Sequence, residues 1–248
     1  MPEVIDISVP KGWSELSQKQ LRYFFFMISV SRSMEEAITR CFLKWGQLKV
    51  VGRGSENEYV LCRGSRFFTL SPVELWQLMR PIYWLGGIPP QPAVVLKFGR
   101  HRAVDPMFKG VPFGKYLSCV AVWSDMMRRG APDNDRICEL VELLYGFRPK
   151  KADGVLMGVV VYWLTSLQEY FSKRFPDLFS PPSSDGQGSL GAASSSFRDS
   201  MDAMIRALTK GDVLKEKDVL ACDTYRALVE LDAQAKEARR IKDSVAKK

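Results

Sequence analysis

The sequence predicts a mainly helical α+β fold: a helical body carrying a small antiparallel β-hairpin or meander, a linker, and a helical tail. Three observations carry this. Apolar residues recur at helical spacing through most of the chain, the period shortens to β-prone runs between 48 and 70, and the stretch Ser180 to Ser196 (SPPSSDGQGSLGAASSS) is built from small and turn-forming residues. Such a stretch buries too little apolar surface to offset its ordering entropy, so it reads as a tether. The domains expected are an α+β body over 1–179, a Ser/Gly/Pro-rich linker over 180–196 and a helical tail over 197–248.

The elements follow in order. Ser17-Gln18-Lys19-Gln20 has the form of a capping box, and Leu21, Phe24, Phe25 and Ile28 follow at helical spacing, which places a first helix over about 18–30. Ser33-Met34-Glu35-Glu36 repeats the start signal, and Ala37, Ile38, Cys41, Phe42 and Trp45 line one face until Gly46. Leu48 to Val51, Tyr59 to Cys62 and Arg66 to Leu70 are short strands divided by Gly-containing turns. Ser71-Pro72-Val73-Glu74 joins an N-cap, a proline at the first helical position and an acid in the first turn, so a helix runs to about Met79. The prolines of Trp84 to Pro92 require a loop, in which Trp84 reads as an exposed contact. Val94 to Phe98 reads as a strand, and Gly99 to Arg102 as a turn in which His101 is a solvated loop residue.

Helical periodicity returns after Pro112 and runs to Gly130, again from Ile137 to Gly146, and again from Val155 to Phe171, ahead of Pro176. The last of these is apolar on most sides near its start and is expected at the centre of the body's core. In the tail, Ser196 to Asp199 forms a capping box before an apolar stripe of Met201, Met204, Ile205 and Leu208, closed by Gly211. A longer amphipathic helix is expected from about Val213 onward, with a narrow seam of Leu228, Leu231, Ala235 and Ala238 that also admits a coiled coil.

Composition narrows the function classes. Five cysteines lie far apart with no CxxC pair, so neither a disulfide framework nor a structural zinc site is expected, and a cytoplasmic protein fits best. The amino terminus has no basic region followed by an apolar run, and Val155 to Leu164 is about half the length a bilayer requires. No secretory signal or membrane span is expected. His101 is the single histidine, which excludes paired-histidine mechanisms and His-rich metal sites within one subunit. No GxGxxG opens a predicted helix, neither a GxxxxGK(S/T) P-loop nor a GxSxG nucleophile elbow occurs, and acids such as Glu35-Glu36 and Asp133/Asp135 are explained by helix starts. The expectation is therefore a protein without enzymatic activity, with no catalytic residues, no cofactor and no metal.

Two binding surfaces remain as candidates. The net charge of +8 resides mostly upstream of the tail, since from Phe197 onward twelve Lys/Arg face ten Asp/Glu. Two helices followed by a hairpin is the order of a winged helix-turn-helix, which would place Arg40 and Lys44 on the second helix and Lys49, Arg53, Arg63 and Arg66 around the hairpin, against nucleic-acid phosphates. Against this, Glu35 and Glu36 stand at the end that would approach DNA, and the usual preceding helix is missing. The other candidate is a partner-binding face on the tail, made of Met204, Ile205 and Leu208 or of Leu228 and Leu231.

Leu16 to Tyr23 (LSQKQLRY), Cys41 to Trp45 (CFLKW) and Leu48 to Val51 (LKVV) resemble the amino-terminal half of uncharacterised proteins encoded by prophages and tailed phages. Ala203 to Asp212 (AMIRALTKGD) and Asp223 to Leu228 (DTYRAL) resemble the ends of the same group. The similarity is strongest at the two ends and brings no catalytic motif. It implies a role in virion morphogenesis in the host cytoplasm, as a tail-assembly or chaperone-like factor that binds other phage structural or assembly proteins, such as the tape-measure protein.

Overall fold

The computed structural model describes residues 7–54, 58–130, 133–179 and 193–246. These form ten α-helices, a three-stranded antiparallel sheet and a two-stranded one, a mainly helical α+β architecture. The chain divides into two compact units, one made of Met1–Pro89 with Asp153–Tyr162, the other of Pro90–Ala152 with Trp163–Lys248.

The first unit holds helices α1 (Gln18–Val30) and α2 (Met34–Trp45), strands β1 (Lys49–Arg53), β2 (Tyr59–Arg63) and β3 (Arg66–Leu70), and helix α3 (Pro72–Met79). Its helix starts are those the sequence signals: Ser17 and Ser71 each form a complete capping box, with Gln20 and Glu74, and Ser33 accepts from the Glu36 amide. The core gathers Phe24, Phe25, Ala37, Ile38, Cys41 and Phe42. Trp84 is not an exposed loop contact. It lies in a 3-10 segment (Arg80–Gly86), with its ring 5.3 Å from that of Trp13, which in turn meets Phe24 at 5.4 Å. An aromatic side chain follows apolar area rather than the local Gly/Pro composition, because its burial is worth more than loop exposure.

The long helix α6 (Gly154–Arg174) gives its first turns to this unit. The sequence reading put α6 at the centre of one core, whereas its residues serve two: Val159, Val160 and Tyr162 belong with the first unit, and Trp163, Leu164, Leu167 and Phe171 with the second. Glycine at 154 permits close approach to α1, since a Cβ there would stand 2.3 Å from the Ser29 Cβ.

The second unit contains β4 (Lys97–Phe98) and β5 (His101–Arg102), α4 (Phe113–Arg128), α5 (Asn134–Tyr145), the rest of α6, and α7 (Pro176–Phe179). It also contains α8 (Ala193–Thr209), a short 3-10 turn at Val213–Lys215, α9 (Glu216–Ala221) and α10 (Thr224–Ala246). Three expectations change here. The strand read over 94–98 shortens to Lys97–Phe98 and pairs with His101–Arg102, so His101 sits on a strand with its ring 4.4 Å from that of Phe147. The linker read over 180–196 lies outside the described residues as far as 192, and α8 begins at Ala193, ahead of the start expected at Ser196. The single long helix from 213 is instead three helical pieces broken at Cys222–Asp223.

That break has a clear cause. Asp223 accepts from the Arg226 amide as the N-cap of α10, and its other carboxylate oxygen accepts from the Gly110 amide. The backbone around it pairs with the segment before α4: the Phe113 amide donates to Cys222 O at 2.8 Å and the Thr224 amide to Val111 O at 2.9 Å, while the Thr224 hydroxyl also reaches Val111 O at 2.7 Å. Continuing the helix through 222–224 would forfeit this set of long-range bonds, which outweighs the few α-helical bonds gained.

Candidate partner-binding groove

In the second unit, α4, the second half of α6, α7 and α8 enclose an open cavity of about 450 Å³. Its floor is Tyr116, Leu117 and Trp123 from α4 with Leu164, Leu167 and Phe171 from α6, all buried. Leu178 and Phe179 of α7 and Met201 and Met204 of α8 form half-buried walls, and Ser124, Gln168 and Ser200 supply the few polar groups. Burial pushes the Tyr116 hydroxyl well above its ordinary pKa, so the floor carries no charge over the physiological range. A concave, apolar, largely uncharged site with a sparse polar lining suits an apolar side-chain cluster. The methionines add adaptability, because an unbranched thioether repacks against differently shaped partners.

The five residues read as partner-binding do not act as one face. Met204 walls the groove, whereas Ile205 lines a separate, more polar cleft of about 290 Å³ with Asp202, Arg206, Gly211 and Glu216. Leu208 is half-buried. Leu228 and Leu231 are 0% and 4% exposed, so the seam of α10 is covered by the chain itself. The docking of α10 is reinforced by polar bonds to α7: Asp232 accepts from the Asp177 and Leu178 amides, and Arg239 pairs with the Asp177 carboxylate at 3.0 Å. Arg174 donates to the Tyr225 hydroxyl at 3.0 Å. Sequence reasoning missed this because Asp223, Asp232 and Arg239 look like ordinary solvated charges of an amphipathic helix. The one legible signal was the Asp223-Thr224 pair, a good N-cap standing inside an expected helix.

The cations of the winged-helix reading are also dispersed. On α2, Lys44 is exposed, but the Arg40 guanidinium grips Glu36 through two bonds, at 2.7 and 3.1 Å. The Arg32 amide, and after it the Arg40 guanidinium, holds the Glu36 carboxyl below its usual range. In the meander the register pairs Lys49 with Cys62, Cys62 with Phe67, and Arg63 with Arg66. Side-chain alternation therefore puts Lys49 and Phe67 on one face, and Arg63 and Arg66 on the other with the buried Leu61. A register shift between Val50 and Gly52 brings Arg53 opposite Tyr59, where its guanidinium stands 5.6 Å from the ring centre. The outer face presents Phe67, 66% exposed.

Among the described residues no group of His, Cys, Asp or Glu side chains is placed to hold a metal ion. All five cysteines are unpaired, and burial pushes the Cys41 and Cys119 thiols up to about 12, which makes them inert rather than nucleophilic. No described helix is long and apolar enough to cross a membrane. Comparison with protein-family models, with curated proteins and with solved structures finds no match to this chain.

Proposed function

We propose that this chain is a protein-binding factor of phage or prophage virion morphogenesis, of the tail-assembly chaperone type, and that it holds an apolar helical segment of another assembly component, such as the tape-measure protein. The observation that carries this reading is the groove of about 450 Å³ floored by Tyr116, Leu117, Trp123, Leu164, Leu167 and Phe171 and walled by two methionines. An amphipathic helix laid in such a groove buries its i, i+3, i+4 anchors without requiring charge complementarity. The test is co-expression of the full chain with fragments of the neighbouring tail proteins. Met204→Glu, which places a charge at the half-buried wall, should abolish recovery of the bound fragment while leaving the helical circular dichroism unchanged. Equal recovery with the variant sinks the proposal.

A second reading, a winged-helix-like nucleic-acid binder using residues 18–70, is favoured by the order α1, α2, β1, β2, β3 and by the exposed Lys44, Lys49 and Arg53. It predicts retention on duplex DNA that Lys44→Ala and Lys49→Ala weaken alike. Absence of retention at low salt removes it.

A further inference from the structure

The β4–β5 hairpin of the second unit carries a cation on each strand and one in its turn. Lys97 and Arg102 stand directly opposite each other in the ladder, a pairing that repels, and Arg100 occupies the two-residue turn beside Gly99, whose φ of +57° suits a glycine. Among the described residues, Arg100, Arg102, Lys150 and Lys151 make no ion pair. Arg148 is different, being held by Asp135 at 2.7 Å and Glu142 at 3.3 Å.

The hairpin is also rigidly mounted beside aromatic rings. The Ala103 amide donates to Leu96 O at 3.0 Å, the Val104 amide to Leu144 O at 2.9 Å, and the Tyr145 hydroxyl to Val95 O at 2.7 Å. The half-exposed His101 ring lies against Phe147, the first residue of the run Phe147-Arg148-Pro149-Lys150-Lys151. Cations on both strands and the turn of one hairpin are thus joined to a second basic run by a pair of partly exposed rings in contact, tilted by 33° to each other.

We infer that this hairpin and the 147–151 run form a binding surface for single-stranded nucleic acid, with Lys97, Arg100, Arg102, Lys150 and Lys151 meeting phosphates and the His101–Phe147 pair offering a stacking platform. An acidic protein segment would satisfy the cations, but it makes no use of the rings. Nucleic acid uses both, since arginine forks match phosphate oxygens and every base has a face to stack. The surface is separate from the apolar groove and shares no residue with it.

The experiment is fluorescence anisotropy of a labelled single-stranded DNA of about 20 nucleotides with the full chain, longer than the site of a typical single-strand binder. If about four phosphates are contacted, affinity falls about 50-fold between about 50 and about 200 mM salt, and Arg100→Ala/Arg102→Ala reduces that dependence to about 7-fold. Lys150→Ala/Lys151→Ala does the same, which guards against a local folding defect in the hairpin. Phe147→Leu weakens binding about tenfold while preserving the salt dependence. Any one of three results overturns the inference: no binding at the lower salt, a salt dependence that responds to Lys44→Ala and Lys49→Ala but to neither hairpin nor loop variant, or competition by poly-glutamate as strong as by unlabelled oligonucleotide. The last would assign the surface to an acidic protein.

Discussion

Helices α8 and α10 carry apolar stripes that look alike in sequence, yet the fold uses them differently. The α10 stripe is consumed: Ala227, Leu228 and Leu231 are buried, and Asp223, Asp232 and Arg239 fasten the helix to the segment before α4 and to α7. The α8 stripe is only half covered, with Met201 and Met204 on a groove wall and Ile205 on a different cleft. The difference lies in the flanking polar residues. A seam becomes internal when the same helix also carries side chains that cap or pair with another element, because those directional bonds fix its position.

The comparison breaks most sharply at Leu228. Leu228→Ala should cost about 3 kcal/mol in urea-induced unfolding, the usual loss for a fully buried leucine. If the cost is under about 0.5 kcal/mol, α10 is not docked in solution, since surface substitutions fall within that range. Asp223→Ala removes the acceptor for both the Gly110 and Arg226 amides and should cost about 1.5 kcal/mol. It should also speed alkylation of Cys222, which stands half-buried at the break with its thiol pKa raised first by burial and then by the Asp223 charge. Unchanged labelling of that thiol would mean that the break does not depend on Asp223.

Met204→Ala tests the other stripe. Truncating a half-buried side chain should cost only about 1 kcal/mol by thermal unfolding, yet it should impair partner capture. A loss as large as that of Leu228→Ala would show α8 to be as consumed as α10. The smallest effect is expected for Arg239→Ala, about 0.5 kcal/mol, because its pair with Asp177 is only partly shielded from solvent.

Much of the first unit was legible in the sequence because its helix boundaries are written in local chemistry: Ser17 with Gln20, Ser33 before Glu36, and Ser71-Pro72 with Glu74 all cap where they were read. The same holds for α5, which ends at Gly146 with a left-handed φ of +72°. What was not legible depends on partners distant in sequence. Nothing near Cys222 announces that its carbonyl accepts from Phe113, and nothing near Trp84 announces Trp13. The groove belongs to this second kind: α4, α6, α7 and α8 contribute to it, and of its lining only Met204 was read as a partner contact, with Met201 beside it in a stripe rather than a cavity. The hairpin cations were seen as a basic turn, but their mounting against Phe147 required the fold.

The bonds between 110–113 and 222–224 join residues 109 or 113 positions apart. A contact of that span carries a large loop-closure entropy and forms late, so it slows folding compared with the local helical contacts on either side. During synthesis the hydrophobic floor made by α4 and α6 therefore emerges long before α8 and α10 arrive to wall and brace it. For that interval the nascent chain itself exposes the kind of sticky surface that it is proposed to shelter in others. A stop codon near residue 180 would make the interval permanent.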